Sequence, residues 1–302
     1  MTLNDWHYFQ SCPVCSGTKL KIFKKGSLHL HQLEPATIKI TDSHYGQTWN
    51  LSQCSDCGHI FANPSPPIEL INRLYARIED PEYEAEAANR AQNFIPILNQ
   101  LDQMFPNRGK ILDVGAATGI FLALAQKRKW QVTGVEPSTW AVRLASKKYN
   151  LNLIENTFEK VKLPAGNFQV ITMIDFIEHV PHPKEAVRKA ANLLQPEGIL
   201  VIVTPNIKSL VARLAGKRWW HYRPAHLAFF TWSSLTTLLE QAGFQLLKKS
   251  TYIWTFSLYY LLSRFDSLRV LWSPPKLALF WKKVQVKLPL GDSFVIFAAK
   301  KR

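Results

Sequence analysis

The segment that most constrains the fold is Lys110-Ile111-Leu112-Asp113-Val114-Gly115-Ala116-Ala117-Thr118-Gly119, followed by the helix-like Ile120–Ala125. A short apolar run enters an acidic residue and then a turn of small residues. A buried strand that turns tightly into a helix leaves free backbone N–H groups and the positive end of a helix dipole at the carboxyl edge of a sheet. Open α/β sheets bind adenosine-containing ligands at that edge. Gln131–Glu136 then reads as a second strand ending in a carboxylate, suited to gripping both ribose hydroxyls. The turn is Gly-x-Ala-x-Gly, and Ile120 stands where a dinucleotide fingerprint has its third glycine. An adenosine ligand other than a dinucleotide is favoured.

From Lys110 onward strand and helix patterns alternate. Strands are expected over 110–114, 131–135, 151–154, 168–174 and 198–203, and helices over 119–129, 138–149 and 184–194. That alternation predicts a parallel sheet with helices on both faces. Phe244–Thr251 and Ser293–Ala299 read as a closing strand pair. Before this region, apolar residues at three- and four-residue steps predict helices over Ile68–Ile78 and Glu84–Phe105.

Four stretches in this order, LDVGAATG (112–119), VTGVEPS (132–138), FQVITMIDFIEHVPHP (168–183) and LLQPEGILVIVTPN (193–206), resemble the class I S-adenosylmethionine-dependent methyltransferases. The resemblance runs from about 108 to 251 and returns at 293–299. It implies a Rossmann-like, mostly parallel seven-stranded sheet with an antiparallel last strand. It also implies S-adenosylmethionine as cofactor: Asp113 at the methionine end, close backbone approach at Gly115, Ala117 and Gly119, Glu136 on the ribose, and Asp175 beside them. Ala117 departs from the middle glycine of many members. For Asp113 a helix-capping role is the alternative. Family helices upstream of the sheet cover the cofactor, so Tyr75 and Tyr83 are either lid residues or packing aromatics.

All four cysteines lie in two Cys-x-x-Cys pairs, Cys12/Cys15 and Cys54/Cys57, each followed by glycine. Two such knuckles make a closed tetrahedral four-thiolate site, the structural kind of zinc centre. The intervening residues are expected to form strands at Lys19–Phe23, Leu28–Leu33 and Thr37–Ile40. Disulfides are the alternative, disfavoured in a chain without a secretion signal. His29, His31 and His59 read as ordinary ribbon residues, since four thiolates fill such a site. The domain organisation expected is a zinc-ribbon-like β subdomain over 1–63, a helical linker or lid over 64–108, and a methyltransferase domain over 109–302 carrying an amphipathic insert at 252–290.

Methyl transfer requires an oriented nucleophile and, at oxygen, a base. His179 follows the fourth strand at the mouth where the methyl group would lie, with loop fixing as its alternative role. His226 belongs to Trp219–Thr231, whose His-Leu-x-Phe-Phe-Thr segment is similar to one in a branch of small-molecule methyltransferases. It is a candidate base or substrate ligand, or else a capping or core histidine. Trp220, Tyr222 and Arg223 are expected substrate walls, and Thr231 the cap of a helix over 232–242.

The balance of 37 Lys and Arg against 22 Asp and Glu, net +15, calls for an acidic partner: nucleic acid, an anionic lipid surface or a phosphorylated substrate. The excess is concentrated beyond Phe244, where eleven Lys and Arg face only Asp266 and Asp292. Two apolar stripes run through this tail: Trp254, Leu258, Leu261, Phe265, Leu268 and Trp272, then Leu277, Phe280, Trp281, Val284 and Leu288. Tryptophans and lysines beside such stripes suit helices at a lipid interface, with packing onto the sheet or a second copy as the alternative. The longest apolar block, Tyr252–Leu262, is shorter than the roughly 20 residues of a span, and Met1–Gln10 lacks a charged n-region. A cytoplasmic protein is expected, with peripheral membrane contact left open. The sequence favours a methyltransferase acting on a small-molecule, sugar or lipid-linked acceptor. An RNA base methyltransferase and an inactive, partner-binding scaffold are the alternatives; nucleic acid is the weaker match, and the oligomeric state is not set.

Overall fold

A computed structural model describes residues 6–28, 33–39, 41 and 45–301. The amino-terminal part contributes strands β1 (Leu20–Lys24), β2 (Leu51–Cys54) and β3 (Ile60–Ala62). Helices α1 (Ile68–Ala76), α2 (Pro81–Ala85) and α3 (Ala87–Met104) lead to the sheet. There the chain alternates: β4 (Lys110–Val114), α4 (Ile120–Lys127), β5 (Gln131–Glu136), α5 (Thr139–Tyr149), β6 (Ile154–Glu155), β7 (Phe168–Ile174), α6 (Pro183–Leu193) and β8 (Leu194–Pro205). After α7 (Leu210–Ala215), β9 (Ala228–Phe229) and α8 (Trp232–Gln241) comes β10 (Phe244–Thr251). The insert holds β11 (Trp254–Ser257), α9 (Leu258–Ser263), α10 (Arg269–Trp272), α11 (Pro275–Lys283) and β12 (Gln285–Leu288), and β13 (Ser293–Lys300) closes the chain.

Among the described residues the central sheet has seven strands in the order β10-β13-β8-β7-β4-β5-β6. All of its neighbours pair in parallel except β13, which is antiparallel to both β8 and β10. The expected mostly parallel α/β sheet with its antiparallel closing strand is present. Alternate strand residues feed two cores. In β8, Leu200 and Ile202 join α6 and α8 on one face, while Ile199, Val201 and Val203 join α3 and α4 on the other. Because both faces are covered, these strands read as continuous apolar runs. Strand order reverses at β4, with β5 on one side and β7 on the other, so a crevice opens beyond their carboxyl ends.

The amino-terminal sheet runs β1-β2-β3-β9, so its fourth strand comes from residues 228–229. Ile60 pairs with Phe229 and Phe61 with Ala228. Cys12, Val14, Cys54 and Phe61 are buried in the same core as Phe230 and Leu235.

Several expected elements differ. Thr37–Ile40 was expected as strand, but Pro35–Ile38 is a 3-10 turn, with proline starting it and Glu34 and Thr37 exchanging bonds at its head. Leu28 and Leu33 are not in a strand; His29, His31 and Ile40 lie outside the described residues. The helix expected over 84–105 is divided at Glu86, whose carboxylate turns away to accept bonds from the Ser257 N–H and hydroxyl. Of 151–154 only Ile154 pairs, because Leu151 and Leu153 drop into the core instead. β8 begins four residues earlier than expected, through a bulge in which Phe168 pairs with Leu194 and Val170 with Ile199.

The two long tail stripes are not continuous helices. Trp254–Ser257 is a strand paired with Gln285–Leu288, so both stripes break at the β11–β12 ladder. Alternating aromatic and hydroxyl residues favour the extended form here, and Ser257 then caps α9 by accepting the Tyr260 N–H at 3.0 Å. No helix among the described residues is long and apolar enough to cross a membrane.

Candidate active site

The crevice beyond β4, β5 and β7 opens into a cleft of about 640 Å³. Its floor is the turn after β4. Gly115 and Ala116 both donate to the Val135 carbonyl, at 2.9 and 3.1 Å, locking the turn against β5. Gly119 sits in the left-handed region at φ +81°, where a Cβ would meet the Leu151 side chain at 2.8 Å. The positive φ favours glycine here, and a side chain would also have to displace the Leu151 methyl group. Ala117 adopts the same region at φ 46° and turns its N–H toward Glu136.

Glu136 ends β5. Its Oε2 accepts from the Ala117 N–H at 2.8 Å and its Oε1 from the Ser138 N–H at 2.9 Å. Each carboxylate oxygen keeps a second lone pair. Burial pushes this carboxyl up to about 7, against the pull of the two N–H donors.

Asp113, the fourth residue of β4, is buried beside β7 and accepts the Thr172 hydroxyl at 2.6 Å. It does not cap α4, whose first turn is headed by Gly119. Burial raises Asp113 to about 8, with Thr172 opposing and the Glu136 charge adding. A smaller recess holds Asp113 and Gly115 together with Tyr83, Arg90, Asn93 and Asp175. The Arg90 guanidinium lies 3.8 Å over the Tyr83 ring, and its Nε is buried without a hydrogen-bond partner. Asp175 is a non-glycine residue at φ +50°, and burial raises its carboxyl to about 7 against the charges of Arg90 and Arg223. Arg90 was not singled out from the sequence, because a single arginine on an amphipathic helix carries no motif.

The same cleft gathers the histidines. His179 Nδ1 is 2.9 Å from the Ala225 carbonyl and 2.7 Å from the Tyr75 hydroxyl. A carbonyl only accepts, so Nδ1 carries the proton and Nε2 keeps its lone pair. His226 packs edge-on to His179 and stacks on His221. Ligand atoms of Glu178, His179 and His226 fall within 4.8 Å of one another. Glu178 Oε1 and His226 Nδ1 are both buried without a partner. Burial lowers His179 to about 4, and burial with the neighbouring imidazoles takes His226 well below the ordinary histidine value. Behind them Asp292 accepts from the Trp220 indole at 2.9 Å and pairs with His221 at 3.2 Å. The sequence did not point to Asp292, which lies far along the chain just before β13.

The structure thus brings Asp113, Gly115, Ala117, Glu136, Asp175, His179 and His226 to one cleft edge, with Tyr75, Tyr83, Trp220 and Arg223 in its walls. Tyr222 is instead packed in the core against Trp219 and Phe229. The cysteines form a separate cluster. Cys12 and Cys57 sulfurs are 3.6 Å apart, Cys15 and Cys54 3.5 Å, and none is in a disulfide.

Two ubiquinone biosynthesis O-methyltransferases are similar to this chain. That of Psychrobacter arcticus is 32% identical over 105 residues, 32% of this chain and 41% of the relative. That of Coxiella burnetii is 28% identical over 163 residues, 50% of this chain and 70% of the relative. The chain thus spans less than half the length of the first. Among solved structures, a SAM-dependent methyltransferase from Thermotoga maritima has a TM-score of 0.46 at 19% identity, covering 71% of this chain and 91% of its own. One from Methanosarcina mazei has a TM-score of 0.47 at 16% identity, covering 68% and 97%. A family model described as a methyltransferase domain matches residues 83–249. That match takes in more than half of the chain, from α2 to β10, and the chain belongs to the methyltransferase-domain family.

Proposed function

We propose that the protein is an S-adenosylmethionine-dependent methyltransferase of a hydroxylated, largely apolar small molecule or lipid-linked acceptor. The observation that carries this is the recess beneath Tyr83. A buried guanidinium with an unpartnered Nε lies there beside Asp113 and Asp175, and Glu136 ends the neighbouring strand. This donor set fits a zwitterionic amino acid joined to a ribonucleoside. Arg90 would take the carboxylate, Asp113 and Asp175 the ammonium group, and Glu136 the two hydroxyls. When bound, S-adenosylmethionine supplies an electrophilic methyl group on a sulfonium sulfur.

The chain's own residues then orient the acceptor and remove its proton. His226 is the proposed base: burial keeps its imidazole neutral, and Nδ1 is aimed at no partner in the protein. His179, fixed through Nδ1 by Ala225 and Tyr75, positions the acceptor with its Nε2. The unpartnered Glu178 Oε1 beside them provides a second buried polar contact. Trp254, Phe256, Tyr260, Leu261 and Leu288 line the cleft, which suits an apolar acceptor body better than a charged nucleotide. Similarity to O-methyltransferases of ubiquinone biosynthesis supports the same acceptor class.

The cysteine cluster fits structural zinc. Sulfurs about 2.3 Å from a zinc ion stand about 3.8 Å apart at tetrahedral corners. The observed pairs are within a few tenths of an ångström of that, and Val14 and Gly17 N–H groups point at Cys12 and Cys15 sulfurs.

The test is incubation with methyl-labelled S-adenosylmethionine and separate pools of phenolic lipids, sugar nucleotides and RNA. Label is expected in a hydroxylated small molecule or lipid. Label confined to RNA, or no binding of S-adenosylmethionine by calorimetry, would refute the proposal.

A further inference from the structure

Helices α9, α10 and α11 bury not one of their described residues. Yet these helices and the turn after α9 carry several of the most exposed apolar side chains among the described residues. Val270 is 74% exposed, Leu279 63%, Phe265 58% and Phe280 55%, with Leu271 and Leu277 also exposed. The sequence of 258–291 holds Arg264, Arg269, Lys276, Lys282, Lys283 and Lys287 against one acid, Asp266. Arg264 faces inward to Glu82 and the Thr41 carbonyl, which leaves Arg269, Lys276, Lys282 and Lys283 exposed on the helical part and Lys287 exposed on β12. The insert is built as a unit: the Trp272 and Trp281 indoles donate to the Phe265 and Leu271 carbonyls, and the β11–β12 ladder ties its base. Its base is clamped to the body, since Asn93 exchanges bonds with the Thr255 N–H and carbonyl and Glu86 holds Ser257.

The same segment forms one wall of the cleft, through Tyr260, Leu261 and Phe265. Phe265 belongs to both surfaces: it lines the cleft and is more than half exposed. Phe265 therefore joins the outer apolar face of the insert to the lining of the cleft.

We infer that this face docks on an anionic lipid bilayer and that the acceptor enters the cleft from the membrane. Charge decides between occupants. A two-fold contact with a second copy would set Lys276, Lys282 and Lys283 of one chain against the same cations of the other. A nucleic acid would match the cations and leave the apolar tips facing phosphate. An anionic bilayer matches both, apolar side chains entering the acyl boundary and lysines meeting headgroups. The acceptor's entry rests on the proposed methyl transfer; the docking itself does not.

The test is flotation of the whole 302-residue chain with vesicles of phosphatidylcholine alone or mixed with phosphatidylglycerol, at low and high salt. Each cation near an anionic leaflet strengthens binding about five-fold, the equivalent of about 1 kcal/mol. A Lys276/Lys283/Lys287→Glu variant should therefore lose at least about 100-fold on anionic vesicles. A Val270/Leu279/Phe280→Ser variant should lose the part of the binding that survives high salt. None of these six side chains lines the cleft, so calorimetric binding of S-adenosylmethionine should be unchanged in both variants. Wild type left unbound by anionic vesicles at low salt overturns the inference. So does a dimer, seen by sedimentation velocity, that the serine variant dissociates. If vesicles bind but S-adenosylmethionine does not, the docking stands and the methyltransferase proposal fails.

Discussion

Replacing Glu136 by glutamine tests the adenosine end of the cleft with the smallest steric change. The wild-type carboxylate spends one lone pair of each oxygen on the chain, at Ala117 and Ser138, and keeps one per oxygen that the proposed ribose contact would use. A glutamine amide has one oxygen. Its NH₂ must face either the Ala117 or the Ser138 N–H, donor against donor, and it can accept only one ribose hydroxyl. A hydrogen bond to a charged group contributes about 1.5–3 kcal/mol, and the surviving bond falls to about 1 kcal/mol when the charge is gone. The lost bond and the weakened one together cost about 2–5 kcal/mol, a loss of about 30- to 4,000-fold in affinity. Titration calorimetry with S-adenosylmethionine measures this directly, and the melting temperature of the unliganded variant reports any collapse of the turn. An affinity within three-fold of wild type in a folded Glu136→Gln protein would refute the ribose assignment.

Arg90→Met should weaken S-adenosylmethionine binding by about 2 kcal/mol, some 30-fold, and leave adenosine binding unchanged in the same calorimeter. His226→Asn should lower the methyl-transfer rate by about 10²- to 10⁴-fold without changing cofactor affinity, measured by single-turnover labelling. Freshly prepared protein should contain about one zinc per chain by atomic absorption, and Cys54→Ser should lose it while the central sheet still melts cooperatively. Asp113, Glu136 and Asp175, raised to about 8, 7 and 7, bind protons in the folded chain that the unfolded chain has already released. Buried His179 and His226, held below the ordinary histidine value, act in the opposite sense below about 6.5, so the unliganded protein should lose stability as pH rises from about 6.5 to about 8. Thermal melts across that range should show the decline, and saturating cofactor should flatten it if its ammonium group lies beside Asp113 as proposed.

The sheet was legible because its strands are buried on both faces and its turns are built from small residues. Leu112–Gly119 and Val132–Ser138 state the crevice almost directly. The insert was misread because its apolar residues keep helical spacing across Trp254–Ser257, while the ladder to Gln285–Leu288 is a contact about thirty residues away that no local pattern reveals. Among site residues, the sequence pointed to those at strand ends and beside glycines. Arg90 and Asp292 escaped because they matter only through what tertiary folding places beside them: Tyr83 and the Asp113 recess for one, Trp220 and His221 for the other. Tyr222 escaped in the opposite sense, an aromatic in a suggestive loop that packs into the core.

The pairing of Phe61 with Ala228 also sets a timetable for synthesis. The amino-terminal cysteines and strands leave the ribosome first, but the outer edge of β3 has no partner until residues 228–229 emerge. At ~5–20 residues per second that delay is roughly 10–30 s. During it the nascent chain displays a bare strand edge, Ile60-Phe61-Ala62, beside four thiols. Such an edge invites pairing with other chains. Early capture of a metal by the thiols would hold the nascent knuckles together through the wait, and a cell short of that metal would see the chain aggregate during translation rather than lose activity afterwards.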